Sequence, residues 1–181
     1  FFSKPTPASA IRLSLVGSEM CIRDRNDVSA SRLKKVRKNL QRLNLPRLMM
    51  QSDGTQLPLP SGSMDGILLD VPCSSTGIIR KSPDIKWVEN LKSLLRQTEL
   101  QAKLLKEAAR VVRKGGWIAH STCSLEPEET KLPLNLSEEL GLQTISWGVL
   151  PEGIQEAQKG FWQLLPSRHW MGFSAAILKK S

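Results

Sequence analysis

The stretch from Asp65 to Gly77, DGILLDVPCSSTG, constrains the fold more than any other part of the chain. An apolar segment typical of a strand, Ile67 to Leu69, ends in the acid Asp70, and a turn with Pro72 and Cys73 follows. Open α/β sheets present reactive groups in this way, at the carboxyl end of a strand. We therefore expect a central strand of a doubly wound sheet, with a functional site directly after it.

A second stretch, residues 115–124 with the sequence GGWIAHSTCS, has the same design. A glycine turn precedes a short apolar strand, and Cys123 stands at the end of that strand. Two strands of one sheet that each end in a lone cysteine predict that the Cys73 and Cys123 thiols face one pocket. His120 lies inside the second strand and is expected to be structural, not a base for Cys123.

The composition indicates one basic domain. The 181 residues with 40% hydrophobic content suffice for a single core, and no apolar run approaches the roughly 20 residues of a membrane span. A net charge of +9 favours a polyanionic partner, RNA or DNA, although charge alone is weak evidence for nucleic acid. Cys21, Cys73 and Cys123 lack a CxxC pair, which indicates cytoplasmic thiols and neither a disulfide framework nor a zinc site.

The first 25 residues differ in character from the rest. Residues 1–25 show no apolar period that continues into the following chain, and they lack the pattern of a secretory signal. They resemble translated adapter sequence. We therefore predict that residues 1–25 are a non-native scar, with a disordered native tail as the alternative, and that the domain comprises residues 26–181.

Apolar periodicity and turn residues predict the remaining elements. The order of these elements favours a doubly wound sheet with an antiparallel edge. In chain order they are a basic helix capped by Ser29 or Ser31 and reaching Leu43, a short strand from Arg47 to Gln51, a basic loop from Ile78 to Val88, a long helix from Leu91 to Val112 ended by Gly115-Gly116, a helix from Glu126 whose continuation past Pro133 is doubtful, and strands at 144–147, 161–165 and 173–178.

Three acids fall at or just after expected strand ends: Asp27, Asp53 and Asp70. In a nucleotide-binding α/β fold, an acid after the second strand accepts hydrogen bonds from ribose hydroxyls, and further acids on the same edge bind an amino or ammonium group. Taken singly, each acid is more often a helix cap or turn residue. Their placement beside two cysteines favours a nucleotide-like ligand.

Residues 70–87, DVPCSSTGIIRKSPDIKW, and 121–129, STCSLEPEE, closely resemble the RsmB/NOP family of RNA cytosine-5 methyltransferases. The similarity covers about residues 26–178 and is greatest to the bacterial small-subunit rRNA branch. It implies a Rossmann-like class I S-adenosylmethionine-dependent methyltransferase sheet with helices on both faces. The sheet is expected to be incomplete at its N-terminal edge, because residues 1–25 stand where the family has its Gly-rich cofactor loop, just before Asp27.

The resemblance also implies catalytic roles. Cys123 is the expected nucleophile that attacks C6 of a cytosine, which activates C5 for methylation. Asp70 is expected to hydrogen-bond N3 of the base, and Pro72 to shape the base pocket. Cys73 is expected to assist release of the enzyme after C5 loses its proton. The implied function is methyl transfer to an RNA cytosine, in 16S rRNA, by a monomeric enzyme without a metal.

For the cofactor, S-adenosylmethionine, the resemblance implies that Asp27 binds the ribose and Asp53 the adenine, and that Asp70 also meets the methionine ammonium. Gly172-Phe173 resembles the closing strand motif of the family, although Met171 and Ser174 depart from it.

Other functions remain open at the level of sequence. The chain could be an inactive basic RNA-binding remnant of such an enzyme. A DNA cytosine-5 methyltransferase would use Cys73 as its nucleophile, which leaves the Thr122-Cys123-Ser124 motif unexplained. A zinc site of Cys73, His120 and Cys123, or a hydrolase pair of Cys123 with His169, explains neither the acids nor the turn after Asp70.

Overall fold

The computed structural model describes residues 2–4, 22–45, 48–88, 90–146 and 155–181. The strands of these residues form one sheet, and the helices occur between the strands in chain order. The elements are β1 (Phe2–Lys4), β2 (Ile22–Asn26), α1 (Ala30–Arg42), β3 (Met49–Met50), β4 (Met64–Asp70), α2 (Ile85–Val88), α3 (Leu91–Val111), β5 (Val112–Thr122), α4 (Pro127–Thr130), α5 (Leu132–Asn135), β6 (Leu142–Thr144), β7 (Gln155–Gln158), β8 (Phe161–Leu164) and β9 (Phe173–Lys180).

Strand directions bring four carboxyl ends to one edge of the sheet. The strand order is β3-β2-β1-β4-β5-β9-β8-β7, with β6 paired to β9. β2 runs parallel to β3 and β4 parallel to β5, while β1 is antiparallel to both β2 and β4. It follows that β2, β3, β4 and β5 share one direction. The expected α/β class is confirmed, and antiparallel β9, β8 and β7 form the expected antiparallel edge.

Parts of the N-terminal 25 residues belong to this sheet. β1 lies between β2 and β4, with Phe2 opposite Asp24 on one side and Ile67 on the other. Residues 5–21, including Cys21, lie outside the described part of the chain. The interpretation of residues 1–25 as non-native stays a prediction.

Helix α1 begins where its capping residue was expected. The Ser29 hydroxyl accepts a hydrogen bond from the Arg32 N–H at 3.4 Å, so Ser29 and not Ser31 is the cap. Leu40 is buried, and the basic residues of the helix are exposed. The strand expected from Arg47 to Gln51 is shorter: only Met49–Met50 pair with β2, while Arg47 lies outside the described residues.

The long helix α3 supplies the core on one face of the sheet. Asn90 and Ser93 form a reciprocal capping box at its start, and the helix packs against β4 and β5. The fully buried members of the core include Leu105, Val111, Val112, Ile118 and Leu178.

The expectation that Gly115-Gly116 ends this helix was wrong. α3 ends at Val111 and passes directly into β5, which contains both glycines. A Cβ on Gly116 would lie 2.7 Å from the Asp65 carbonyl oxygen, in the region where the register of β4 against β5 shifts. Gly116 therefore allows close approach of two strands, and the helix stops because its last residues enter the sheet.

The loops and the C-terminal region needed smaller corrections. The expected basic loop from Ile78 to Val88 contains α2 and follows a 3-10 turn at Thr76–Ile78. Pro133 lies in the first turn of α5, where its missing N–H costs no helical hydrogen bond. β8 and β9 match the expected strands closely, β6 ends at Thr144, and Trp147 lies outside the described residues. The polar strand β7 was not predicted because its sequence, QEAQ, lacks apolar alternation.

Candidate active site

The register of β4 against β5 places the two cysteine loops side by side. Asp70, the last residue of β4, pairs with Ser121 of β5, and the Val71 N–H donates to the Ser121 carbonyl at 3.1 Å. Just after this pair, β4 and β5 both end at the same edge of the sheet. Cys73 therefore follows the registered pair by three residues on one strand, and Cys123 follows it by two on the other.

Backbone contacts at two glycines lock these loops against the C-terminal segment. The Gly77 N–H donates to the Cys123 carbonyl at 2.9 Å, and the Gly172 N–H donates to the Gly77 carbonyl at 2.8 Å. A Cβ on Gly77 would lie 2.6 Å from the carbonyl oxygens of both Cys123 and Gly172. Only glycine fits there, which accounts for the Gly172-Phe173 motif as a packing partner of the cysteine loop.

The two thiols face each other, as the sequence predicted. The Cys73 and Cys123 sulfurs lie 3.2 Å apart, and both side chains are partly buried. The Ser75 hydroxyl oxygen lies 3.3 Å from the Cys123 sulfur and 3.8 Å from the Cys73 sulfur. Ser75 has a φ of 60°, in the left-handed region that non-glycine residues rarely adopt. This strained backbone presents a hydroxyl to both sulfurs.

The hydrogen bond between the two thiols shifts their pKa values in opposite directions. The hydrogen bond from Cys123, helped by Thr122 and Ser75, lowers the pKa of Cys73 to about 6. The same hydrogen bond to Cys73, with burial, raises the pKa of Cys123. Because the sulfurs share one proton, the first ionisation belongs to the pair. The pair is therefore expected to hold one thiolate and one thiol near neutral pH.

The turn between β4 and Cys73 exposes an acid and a proline at the sheet edge. Asp70 is exposed, and its Oδ1 accepts a hydrogen bond from the Ser121 hydroxyl at 3.1 Å. Pro72 is exposed as well, while its carbonyl accepts from Gln101 Nε2 at 2.8 Å. The hydrogen bond from Gln101 thus holds the backbone of the loop, while the Asp70 carboxylate and the Pro72 ring are accessible to a ligand.

The other two acids lie on the same edge but already have partners. Asp27 follows β2, and its carboxylate accepts from the Ser29 N–H at 2.7 Å and from Arg32 at 2.8 to 3.0 Å. The Arg32 guanidinium lowers the pKa of Asp27. Asp53 follows β3 and accepts from the Thr55 N–H and hydroxyl, both at 2.8 Å. The bonds from Thr55 lower the pKa of Asp53.

These acids fit a nucleoside ligand in chemistry and in edge position. Ribose hydroxyls and amino groups are donors, and carboxylates at the carboxyl ends of parallel strands accept them. At Asp27, however, a ribose would have to displace Arg32, because the guanidinium contacts both carboxylate oxygens.

A buried polar network below the cysteines was missed at the sequence level. It connects the residue after each cysteine to a carboxylate and an amide, and its members are Ser74, Ser124, Glu129 and Gln101, each at most 2% exposed. One signal was present: Gln101 lies four residues before Leu105 and seven before Ala108, on the apolar face of α3. A polar residue on a buried helical face requires a buried partner.

The alternative sites find no support. His120 is 1% exposed within β5, and burial lowers its pKa to about 4, as for a neutral core residue. His169 is exposed, and its backbone N–H donates to the Ser167 hydroxyl at 3.2 Å. Among the described residues, no group of three His, Cys, Asp or Glu side chains is arranged to hold a metal ion. No helix in the described part is long and apolar enough to cross a membrane.

Comparison with known proteins agrees with this geometry. Residues 12–179 match the model of the family described as 16S rRNA methyltransferase RsmB/F. The chain belongs to this family. Over 157 residues it is 37% identical to ribosomal RNA small subunit methyltransferase B of Vibrio cholerae, covering 85% of this chain and 35% of that protein.

Two further relatives extend the comparison. The chain is 36% identical over 141 residues to the human 28S rRNA (cytosine(4447)-C(5))-methyltransferase, covering 75% of this chain and 17% of that protein. The crystal structure of NSun6 from Pyrococcus horikoshii with SFG superposes with a TM-score of 0.75 at 25% identity, covering 87% of this chain and 41% of that one. The chain thus spans about a third of the length of the bacterial RsmB proteins it matches.

Proposed function

We propose that this RsmB/F family chain carries the catalytic part of an RNA cytosine-5 methyltransferase that acts on small-subunit rRNA and uses S-adenosylmethionine. The observation that carries the proposal is the pair of thiols 3.2 Å apart at the carboxyl ends of β4 and β5. The relatives support the substrate class, because their names specify small-subunit rRNA in bacteria and a cytosine C5 position in the human protein. We also propose that the enzyme is cytoplasmic and monomeric.

In this proposal Cys123 is the nucleophile and Cys73 is its base. The Cys73 thiolate takes the proton of the Cys123 thiol across the 3.2 Å contact, so that Cys123 becomes the thiolate. The Cys123 sulfur then bonds to C6 of the cytosine, and electron density moves to C5, which is otherwise too weak a nucleophile for methylation. After C5 has gained a methyl group, solvent water takes the C5 proton, the electrons of the C5–H bond expel the Cys123 sulfur from C6 as a thiolate, and Cys73 assists this release. Cys73 then returns the proton to Cys123.

The turn after β4 binds the base. When the sulfur adds at C6, negative charge develops over C5, C4 and N3 of the ring. As this charge develops, N3 takes up a proton from water, and the Asp70 carboxylate accepts the hydrogen bond from N3–H. Pro72 is exposed at the same edge and shapes the pocket beside the thiols.

S-adenosylmethionine supplies an electrophilic methyl group when bound. Asp27 would accept from the ribose hydroxyls, Asp53 from the adenine amino group, and Asp70 from the methionine ammonium. Support comes from their shared edge of the sheet and from the NSun6 neighbour, which was crystallised with SFG, an analogue of the cofactor. Arg32 must leave Asp27 for the ribose to bind.

RNA binding would use the basic surface and one aromatic side chain. Apart from Arg32, which pairs with Asp27, the exposed cations of α1 are Lys34, Lys35, Arg37, Lys38 and Arg42. Trp87 in α2 follows the cysteine loop and is 87% exposed, which suits stacking on an unpaired base. Arg80 has a different role, since its guanidinium donates to the carbonyl oxygens of Ser167 and Arg168 and fastens that loop.

A second candidate is an RNA-binding piece without methyltransferase activity. It is favoured by one observation: antiparallel β1 occupies the central sheet position between β2 and β4, beside the strand that leads to Asp27. This candidate predicts RNA affinity that falls steeply with salt and no affinity for S-adenosylmethionine. Calorimetric titration of the chain with S-adenosylmethionine separates the two, because heat of binding is expected only for the methyltransferase.

The decisive test of the mechanism is a covalent adduct with RNA that contains 5-azacytosine. With S-adenosylmethionine present, the chain is expected to form an adduct that survives denaturing electrophoresis. Cys123→Ala abolishes this adduct, whereas Cys73→Ala retains it and forms it more slowly. An adduct unaffected by Cys123→Ala would contradict the proposal. Bisulfite sequencing of RNA and DNA substrates then distinguishes methylation of RNA from that of DNA.

A further inference from the structure

The residues that follow the two cysteines are joined to one buried carboxylate. Glu129 is fully buried in α4, and its Oε1 and Oε2 accept from the Ser74 N–H at 3.0 and 3.2 Å. Its Oε2 also accepts from the Ser74 hydroxyl at 2.5 Å, and Gln101 Nε2 donates to its Oε1 at 2.8 Å. The Ser74 and Ser124 hydroxyl oxygens lie 2.9 Å apart. All groups that touch the carboxylate are donors.

The hydrogen bonds in this network have a single consistent direction. Because the Ser74 hydroxyl donates to Glu129, its oxygen must accept from the Ser124 hydroxyl. The Ser124 oxygen in turn accepts from the Glu126 N–H at 3.0 Å. A chain of donors therefore runs from the Cys123 loop, through Ser74 of the Cys73 loop, to Glu129.

Gln101 holds this carboxylate from the core. Its Nε2 donates to both Glu129 and the Pro72 carbonyl, and both partners are acceptors. The amide orientation is thereby determined, although the buried Gln101 Oε1 has no hydrogen-bond partner among the described residues. The Gln101 side chain is thus oriented so that its amide nitrogen binds Glu129, even though this orientation leaves its amide oxygen unsatisfied. The carboxylate is thus anchored to α3 and to the turn that contains Pro72.

We propose that Glu129 is a positioning residue for methyl transfer: through Ser74 and Ser124 it holds the two cysteine loops so that the Cys73 and Cys123 sulfurs meet. The inference rests on the proposed function, since it assigns Glu129 a part in that reaction. Glu129 bonds Ser74 of the Cys73 loop and not the thiols themselves. It acts on the loops, and the loops determine the sulfur–sulfur distance.

Charge and position make opposite predictions, and the sign of one measurement separates them. In Glu129→Gln, loss of a nearby negative charge would by itself favour the thiolate and lower the pKa of the thiol pair. Loss of positioning would weaken the hydrogen bond between the sulfurs and raise that pKa toward the ordinary value of a free cysteine. The proposal requires the second result.

The experiment is alkylation of the full chain by iodoacetamide as a function of pH, with Cys73 and Cys123 resolved by peptide mass spectrometry. In Glu129→Gln the reactivity of the pair at pH 6.5 is expected to fall about threefold, because a rise of one unit from a pKa of about 6 lowers the thiolate fraction from about three quarters to about one quarter. The control Glu128→Gln removes the exposed neighbouring acid on α4 and is expected to leave the profile unchanged. An unchanged or faster reaction in Glu129→Gln would overturn the proposal.

A second variant keeps the test decisive if Glu129→Gln fails to fold. Ser124→Ala retains the carboxylate and removes only the hydroxyl on the Cys123 loop. It is expected to slow alkylation at pH 6.5 in the same direction, and a wild-type profile would refute the role of the network. Adduct formation with 5-azacytosine RNA is measured separately, with slower adduct formation at unchanged RNA affinity expected in both variants. Absence of the adduct in the wild type would contradict the proposed function, while the alkylation profiles still decide whether the network positions the thiols.

Discussion

The cysteine side and the cofactor side of the same sheet edge are held by different kinds of contact. At the cysteine side, Ser74 bonds Glu129, which is 55 residues away in sequence, within the core. At the cofactor side, Asp27 bonds Arg32, five residues away, and Asp53 bonds Thr55, two residues away, on the surface. Long-range buried contacts exist only in the folded sheet, whereas short-range contacts form locally. Substitutions are therefore expected to have larger effects at the cysteine side.

The largest expected effect is at the nucleophile. Cys123→Ala removes the only group proposed to bond C6, and methylation is expected to fall by roughly a thousandfold or more. Transfer of tritiated methyl groups to RNA measures it, with the chain's thermal unfolding as the control for folding. Residual activity within tenfold of wild type would show that the two cysteine loops are not the reactive side of the edge.

Gly77→Ala tests how tightly the cysteine side is packed. The new methyl group would meet two carbonyl oxygens at 2.6 Å, and we expect a loss of about 2 to 3 kcal/mol of unfolding free energy from this overlap. Gly141→Ala is the matched control, because Gly141 has a φ of +63° but no atom of the described residues lies within 4 Å of the added carbon. It is expected to cost about 1 kcal/mol from backbone strain alone. Urea denaturation compares the two, and equal losses would argue against close packing at Gly77.

Acid is expected to weaken the sheet below the cysteines through His120. Its folded pKa of about 4 lies below the ordinary value of 6.5, so the unfolded chain binds more protons between these values. Stability is fully present above pH 6.5 and is lost as the pH falls, on the order of 3 kcal/mol by pH 4.

Comparison of wild type with His120→Leu between pH 7 and pH 4.5 isolates this effect, since the Cys73 thiol, with a pKa of about 6, titrates in both proteins, and carboxylates such as Asp27, whose pKa is lowered, lose their contribution at lower pH. His120→Leu should flatten the profile over that range. A variant with the same slope as wild type would show that another group carries the titration.

The smallest effect on stability is expected at the cofactor side. Arg32→Ala breaks an ion pair in which the Arg32 side chain is 63% exposed, so the unfolding transition should barely move. Because it frees the Asp27 carboxylate, the affinity for S-adenosylmethionine is expected to stay equal or increase. Isothermal calorimetry measures this, with Asp27→Asn as the partner variant that should lose affinity. Weaker binding in Arg32→Ala would show that Arg32 itself contributes to the cofactor site.

Much of the cysteine side could be predicted from sequence. An apolar strand followed by Asp70, Pro72 and Cys73 specifies a strand end, and a second strand of the same kind leads to Cys123. Parallel strands bring such ends to one edge, so the proximity of the thiols followed from local pattern and a general rule of sheets. Helix α3 ends earlier in the chain than predicted. The strand propensity of β5 and its pairing with β4 and β9 outweighed the helix-ending signal of Gly115-Gly116.

The sequence by itself determined the sheet class, the two cysteine loops and the family that their motifs indicate. Local hydrogen bonds and apolar periodicity carry that information, as Ser29 at the start of α1 and Asp70 at the end of β4 illustrate. Only the tertiary structure decided that β1 enters the centre of the sheet and that Glu129 lies under both cysteines. Such contacts join residues about 50 positions apart, and nothing in the local sequence ranks one distant partner above another until the core has formed.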